Sequence, residues 1–137
     1  MFKGLTNVNY TAEDVAAAAE WYAGVLGVQP YFVRPETGPP AYVEFRLGDA
    51  QDELAIMDRR YAGPLRAGHQ PAGALVYWHV DDIAAAREAL LQAGASEYEP
   101  VVDREGGFST ASVIDPFGNL LGLMHSPHYA QGLPPRL

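Results

Sequence analysis

Three side chains of this sequence, His79, Glu44 and Tyr77, are of the types that move protons. An imidazole changes charge near neutral pH, a carboxylate serves as a base and a phenol as an acid. Each also has a plainer reading. His79 ends the alternating stretch "ALVYWH" and would there bond a backbone group or water. Glu44 stands two positions from Arg46, a ready ion-pair partner. Tyr42 and Tyr77 suit a cavity wall, with their hydroxyls in water. His125 and His128 have a spacing that suits zinc on a helix, but they flank "SP" in what reads as a tail, so no zinc site is expected. Neither "GPP" nor "REGG" has the lysine or the strand-loop-helix setting of a phosphate loop.

Composition narrows the chemistry further. The 137 residues contain no cysteine, which removes disulfides and thiolate catalysis. Hydrophobic residues make up 48%, enough for a packed core. The formal charge is −8, from 9 basic and 17 acidic residues. Nucleic-acid phosphates need a basic patch, so nucleic acid is not an expected partner. No apolar run reaches membrane-spanning length, and "MFKGLTNVNY" lacks the pattern of a signal peptide. The expectation is a soluble, cytoplasmic protein.

The elements that would position these side chains occur twice. Leu5, Val8 and Tyr10 interleave with Asn7, Asn9 and Thr11, as in a strand. In "DVAAAAEWYAGVLG" the residues Val15, Ala18, Ala19, Tyr22, Val25 and Leu26 recur at helical spacing, with Asp14 as cap and Gly27 as terminator. Val76, Trp78 and Val80 then alternate with Leu75, Tyr77 and His79. A second helix follows, with Ile83, Ala86 and Leu90 on one stripe, Asp82 as cap and Gly94 at its end. Asp82-Ile83 stands 68 positions after Asp14-Val15, about half the chain. Three strand candidates follow each helix: "VQPYFVR", "AYVEFRL" and "ELAIMD", then "EYEPVVD", "FSTASVID" and "LLGLM". A repeat at this scale outweighs single propensities. The predicted fold is α+β: one domain over 1–137, with tandem β-α-β-β-β modules at 4–58 and 73–125. Residues 59–72, with Arg59, Arg60, Arg66 and His69, form a linker, and 126–137 an irregular tail.

The doubled β-α-β-β-β order, "WYAGVLG" at the end of the first helix and "DPFGN" before the last strand together resemble the vicinal oxygen chelate superfamily of glyoxalase I, bleomycin-resistance proteins and extradiol dioxygenases. The resemblance covers about residues 4–125. It implies that each module curls its sheet into half of a cup, with the helices outside. It also implies that enzymatic members hold a divalent metal on His, Glu or Gln from the first and last strand of each module. Carried onto this sequence, those positions are Asn7, Ala55, Leu75 and Gly122. Three have no donor, and an amide oxygen is a weak ligand for zinc. The expectation is therefore the fold without the metal and without a cofactor.

Alternation assigns the inner face of the cup. The expected ligand-binding set is Asn7, Asn9, Tyr42, Glu44, Ala55, Met57, Leu75, Tyr77, His79, Gly122 and Met124. The missing side chains of Gly122 and Ala55 would leave room on its floor. Resemblance and missing ligands together point to a metal-free small-molecule-binding protein of the bleomycin-resistance type, a homodimer that sequesters a drug. A cationic or aromatic ligand would suit the charge and the tyrosines. One alternative is a glyoxalase- or dioxygenase-like enzyme, with a non-standard metal site or with His79, Glu44 and Tyr77 in acid-base roles. Another is an assembly or regulatory domain with no ligand.

Overall fold

The computed structural model describes residues 1, 6–63 and 74–131. The chain divides into two compact units, Met1–Gln70 and Pro71–Leu137. The division falls within the 59–72 segment. Leu5, Arg66 and His69 lie outside the described residues.

The first unit runs β1 (Asn7–Ala12), α1 (Val15–Leu26), β2 (Phe32–Arg34), β3 (Tyr42–Leu47) and β4 (Asp52–Asp58). Its sheet has the order β1-β4-β3-β2. β1 pairs with β4 in parallel, and the other pairs are antiparallel. The Asp14 carboxylate accepts the Ala17 N–H at 2.9 Å and starts α1. Gly27, at φ +71°, ends it and returns its N–H to the Ala23 carbonyl. Val15, Ala18 and Tyr22 form the buried stripe of α1. They lie against the sheet face of Tyr10, Ala12, Val43, Phe45, Leu54 and Ile56, all buried. Tyr10 and Tyr22 meet at 5.7 Å between ring centroids.

The second unit repeats the plan with β5 (Val76–His79), α2 (Ile83–Gln92), β6 (Ser96–Asp103), β7 (Ser109–Ile114) and β8 (Leu120–His125). The sheet order is β5-β8-β7-β6, again with one parallel pair, β5 with β8. Asp82 caps α2 through the Ala85 N–H at 2.9 Å, as Asp14 caps α1. Leu90 is the buried side chain of α2, and Ala111, Val113, Leu121 and Leu123 bury the sheet face. The fold is thus α+β, with two four-stranded mixed sheets and the predicted element order. None of the described helices is long and apolar enough to cross a membrane.

Two local expectations need correction. The 59–72 linker begins with a folded turn. Arg59–Tyr61 forms a 3-10 turn capped by Asp58, and Arg59 is buried. The tail opens with a helical turn, α3 (Pro127–Ala130), because Ser126 accepts the Tyr129 N–H and Pro127 suits a first helical position. Leu75 directly precedes β5, and in the first sheet Glu53 stands opposite Asn7 and Ala55 opposite Asn9.

Candidate functional site

In the first unit, strand register gathers one polar and aromatic face opposite α1. Asn7, Asn9 and Thr11 on β1 stand opposite Glu53, Ala55 and Met57 on β4. Tyr42, Glu44 and Arg46 on β3 stand opposite Met57, Ala55 and Glu53, and Phe32 on β2 opposite Glu44. Directly paired residues share a face. Asn7, Asn9, Tyr42, Glu44, Ala55 and Met57 therefore lie together, as alternation predicts.

Glu44 is the hub of this face. Its Oε2 accepts the Tyr31 hydroxyl at 2.5 Å, and its Oε1 accepts the Tyr42 hydroxyl. The Tyr31 hydroxyl also reaches Glu53 at 3.1 Å, and Arg46 pairs with Glu53 at 3.6 Å. The hydrogen bond to Glu44 pushes the Tyr31 phenol up to about 12, with smaller contributions from burial and Glu53. Burial is the first cause for Tyr42, whose phenol is raised further, and the Glu44 hydrogen bond is the second. Both phenols are therefore protonated donors at neutral pH. Phe32 stands edge-on to Tyr42, with centroids 6.3 Å apart, and lies 6.3 Å from Tyr31. The Arg34 guanidinium lies 4.2 Å from the Phe32 centroid, and that of Arg46 lies 4.1 Å from the Tyr31 centroid.

Sequence reasoning missed Tyr31 and Glu53. Tyr31 precedes β2 at a bend, where strict alternation would send it away from Phe32. Its N–H bonds the Glu44 carbonyl at 2.9 Å and holds it beside the strand pair. Glu53 was legible as the residue two before Ala55, on the same face of the strand.

The second unit is built differently. Tyr77 stands opposite Gly122, and His79 opposite Met124. Gly122 is buried. A Cβ there would lie 2.7 Å from Tyr77 Cδ1, 2.8 Å from the Val76 carbonyl oxygen and 3.1 Å from Leu75 Cδ1. The space at Gly122 is therefore filled by Tyr77 and Leu75, which corrects the expectation that the glycine clears a cavity floor. Across the strand pair from Gly122 stands Ser112, also buried, and its hydroxyl donates to Glu99 at 2.8 Å.

His79 is tied into its own corner. Its Nδ1 accepts the Ser126 N–H at 3.2 Å, and its Nε2 faces Asp81 at 3.4 Å. The ring stacks on Tyr129 at 4.5 Å. Both ring nitrogens thus have partners within the unit. His125 places Nδ1 3.2 Å from the Val80 carbonyl, and His128 meets the edge of Phe108 at 5.3 Å. These contacts place His125 and His128 on separate partners.

Residues 4–123 match the family model of the Glyoxalase/Bleomycin resistance protein/Dioxygenase superfamily. The chain belongs to this superfamily. No curated protein sequence matches it. Among solved structures, a glyoxalase-related enzyme from Fulvimarina pelagi is similar, with a TM-score of 0.72 and 18% identity over 92% of this chain and 90% of that one. TioX from Micromonospora sp. ML1 is similar at a TM-score of 0.65 and 20% identity, over 90% of this chain and 98% of that one. UcmS2 is similar at a TM-score of 0.69 and 21% identity, over 92% of this chain and all of that one. At these identities the likeness is one of fold.

The superfamily's enzymes imply a divalent metal, and the residues here do not fit one. Ala55, Leu75 and Gly122 offer no lone pair, and any side chain at Gly122 would meet the Val76 carbonyl. Among the described residues, no three His, Asp or Glu side chains gather as a metal site. The carboxylates on the face of Ala55 are Glu44, directly across the strand pair and held by Tyr31 and Tyr42, and Glu53, which Tyr31 and Arg46 engage.

Proposed function

We propose that this superfamily member is a small-molecule-binding protein that works without a resident metal and holds its ligand noncovalently. One observation carries the reading. Gly122, the position to which the resemblance assigns the last metal ligand, has its side-chain space taken by Tyr77 and by a backbone carbonyl. The polar and aromatic face around Glu44 supplies binding chemistry in its place, since such mixtures line ligand sites. Acid-base catalysis has less support. Both nitrogens of His79, the imidazole among the candidate proton carriers, already have partners. We further propose a homodimer, the commonest closed assembly.

The test is a thermal-shift screen with natural-product antibiotics and small aromatic metabolites, run beside elemental analysis of protein purified without chelator. A compound at 100 times its dissociation constant adds about 2.7 kcal/mol of stability. Saturable stabilisation by one compound class, no stoichiometric metal and a dimer by light scattering are the expected results. Stoichiometric zinc, nickel, manganese or iron would overturn the metal-free reading, and a strict monomer at micromolar concentration would overturn the dimer.

A further inference from the structure

The three rings around Glu44 define more than an apolar wall. Tyr31 and Tyr42 each donate a hydroxyl to one oxygen of the carboxylate, so its orientation is fixed before any ligand arrives. Phe32 stands directly across the strand pair from Glu44 and within 6.3 Å, by centroid, of both tyrosine rings. A carboxylate held by two phenol hydroxyls with aromatic rings beside it can receive an organic cation, because the ring faces and the carboxylate attract the same charge. A second observation points the same way. Two of these rings already carry a cation on one face, Arg34 on Phe32 at 4.2 Å and Arg46 on Tyr31 at 4.1 Å. The chain's own guanidinium groups thus display the contact that a ligand cation would make.

We propose that Tyr31, Phe32, Tyr42 and Glu44 form an aromatic cage for the cationic head of an organic ligand, an alkylammonium or quaternary ammonium group. This rests on the small-molecule-binding reading above and names the ligand class for one face of the first unit. Glu44 supplies the counter-charge. Its two tyrosine bonds leave further lone pairs on the oxygens, since an ionised carboxylate has about four acceptor sites. Arg46 is the resident competitor. It covers a face of Tyr31 and adds a like charge beside an incoming cation. Glu44 and Tyr31 therefore favour the ligand, and Arg46 opposes it.

That opposition gives the test its sign. Benzyltrimethylammonium is titrated calorimetrically into the full chain, with benzyl alcohol as the neutral counterpart. The expected result is saturable binding of the cation, at least about tenfold tighter than the alcohol. Glu44→Gln and Tyr31→Leu should each weaken cation binding by about tenfold, and Arg46→Ala should tighten it. Tyr31 and Arg46 are exposed, so these two variants keep the test open if Glu44→Gln fails to fold. Equal binding of both probes, unchanged in all three variants, would overturn the cage and leave small-molecule binding standing. Weaker binding in Arg46→Ala with tighter binding in Glu44→Gln would mean that the site prefers anions, and would also overturn it. Failure of the cation to bind at all would do the same. The small-molecule reading would then be judged by the compound screen alone.

Discussion

The ring of Tyr77 lies over the backbone of Gly122, so that a Cβ on the glycine would come within 2.7 Å of the ring and 2.8 Å of the Val76 carbonyl oxygen. Ring atoms can swing away, but a carbonyl in a parallel strand pair cannot move without disturbing the ladder. Gly122→Ala is therefore expected to cost about 1–3 kcal/mol, the range for overpacking a tight site. In a Tyr77→Ala background the same substitution should cost less but not nothing, because the Val76 oxygen remains. Urea unfolding of the two single variants and the double variant measures this coupling. Full tolerance of Gly122→Ala would show that the strand pair yields at this point.

The Tyr31 and Tyr42 phenols should ionise late. The chain has eight tyrosines, and ordinary phenols titrate near 10. Tyr31 is expected near 12 and Tyr42 above it. A raised phenol contributes its stability in full below its unfolded value and loses it as pH climbs through the folded one. For Tyr31 that window runs from about 10 to about 12. Glu44→Gln should bring Tyr31 back toward 10, since the bond to Glu44 is its first cause. It should lower Tyr42 only partly, since burial is the first cause there. Ultraviolet titration of phenolate in both proteins checks the order. A single transition near 10 for all eight rings would contradict it.

Asp115 organises the turn before β8. Its Oδ1 accepts the N–H groups of Phe117 at 2.9 Å and Asn119 at 2.7 Å, and its Oδ2 accepts the Asn119 side chain at 2.8 Å. The residue is buried, and Gly118 takes φ +89° within the same turn. Asp115→Ala strands these donors and should cost about 3 kcal/mol, from one or two unsatisfied groups. Asp115→Asn keeps an acceptor oxygen and should cost about 1 kcal/mol. Chemical denaturation of the two variants checks the ranking, and equal losses would show that the turn does not depend on acceptor chemistry.

Much of this protein was legible in sequence because much of it is local. Helix caps act over three residues, so Asp14 and Asp82 mark both helix starts. Alternation acts over two, so Tyr42, Glu44 and Arg46 fall on one face and Val43 and Phe45 on the other. The repeated pattern, together with "WYAGVLG" and "DPFGN", resembles the superfamily whose family model matches residues 4–123.

The sequence by itself determined the element order, the two-module plan, the faces of the strands and the absence of donor side chains at Ala55, Leu75 and Gly122. Tertiary structure alone decided which side chains meet. Tyr31 and Glu53 come to Glu44 and Arg46 through strand pairing, with partners 13 and 22 residues apart along the chain. No periodicity encodes that register. His79 acquired its partners from Ser126 and Tyr129, 47 or more positions away, because the turn after β8 folds back on β5. Gly122 is the sharpest case. Its sequence announces only a missing side chain, and the reason lies across the strand pair, where Tyr77 and the Val76 carbonyl fill the space.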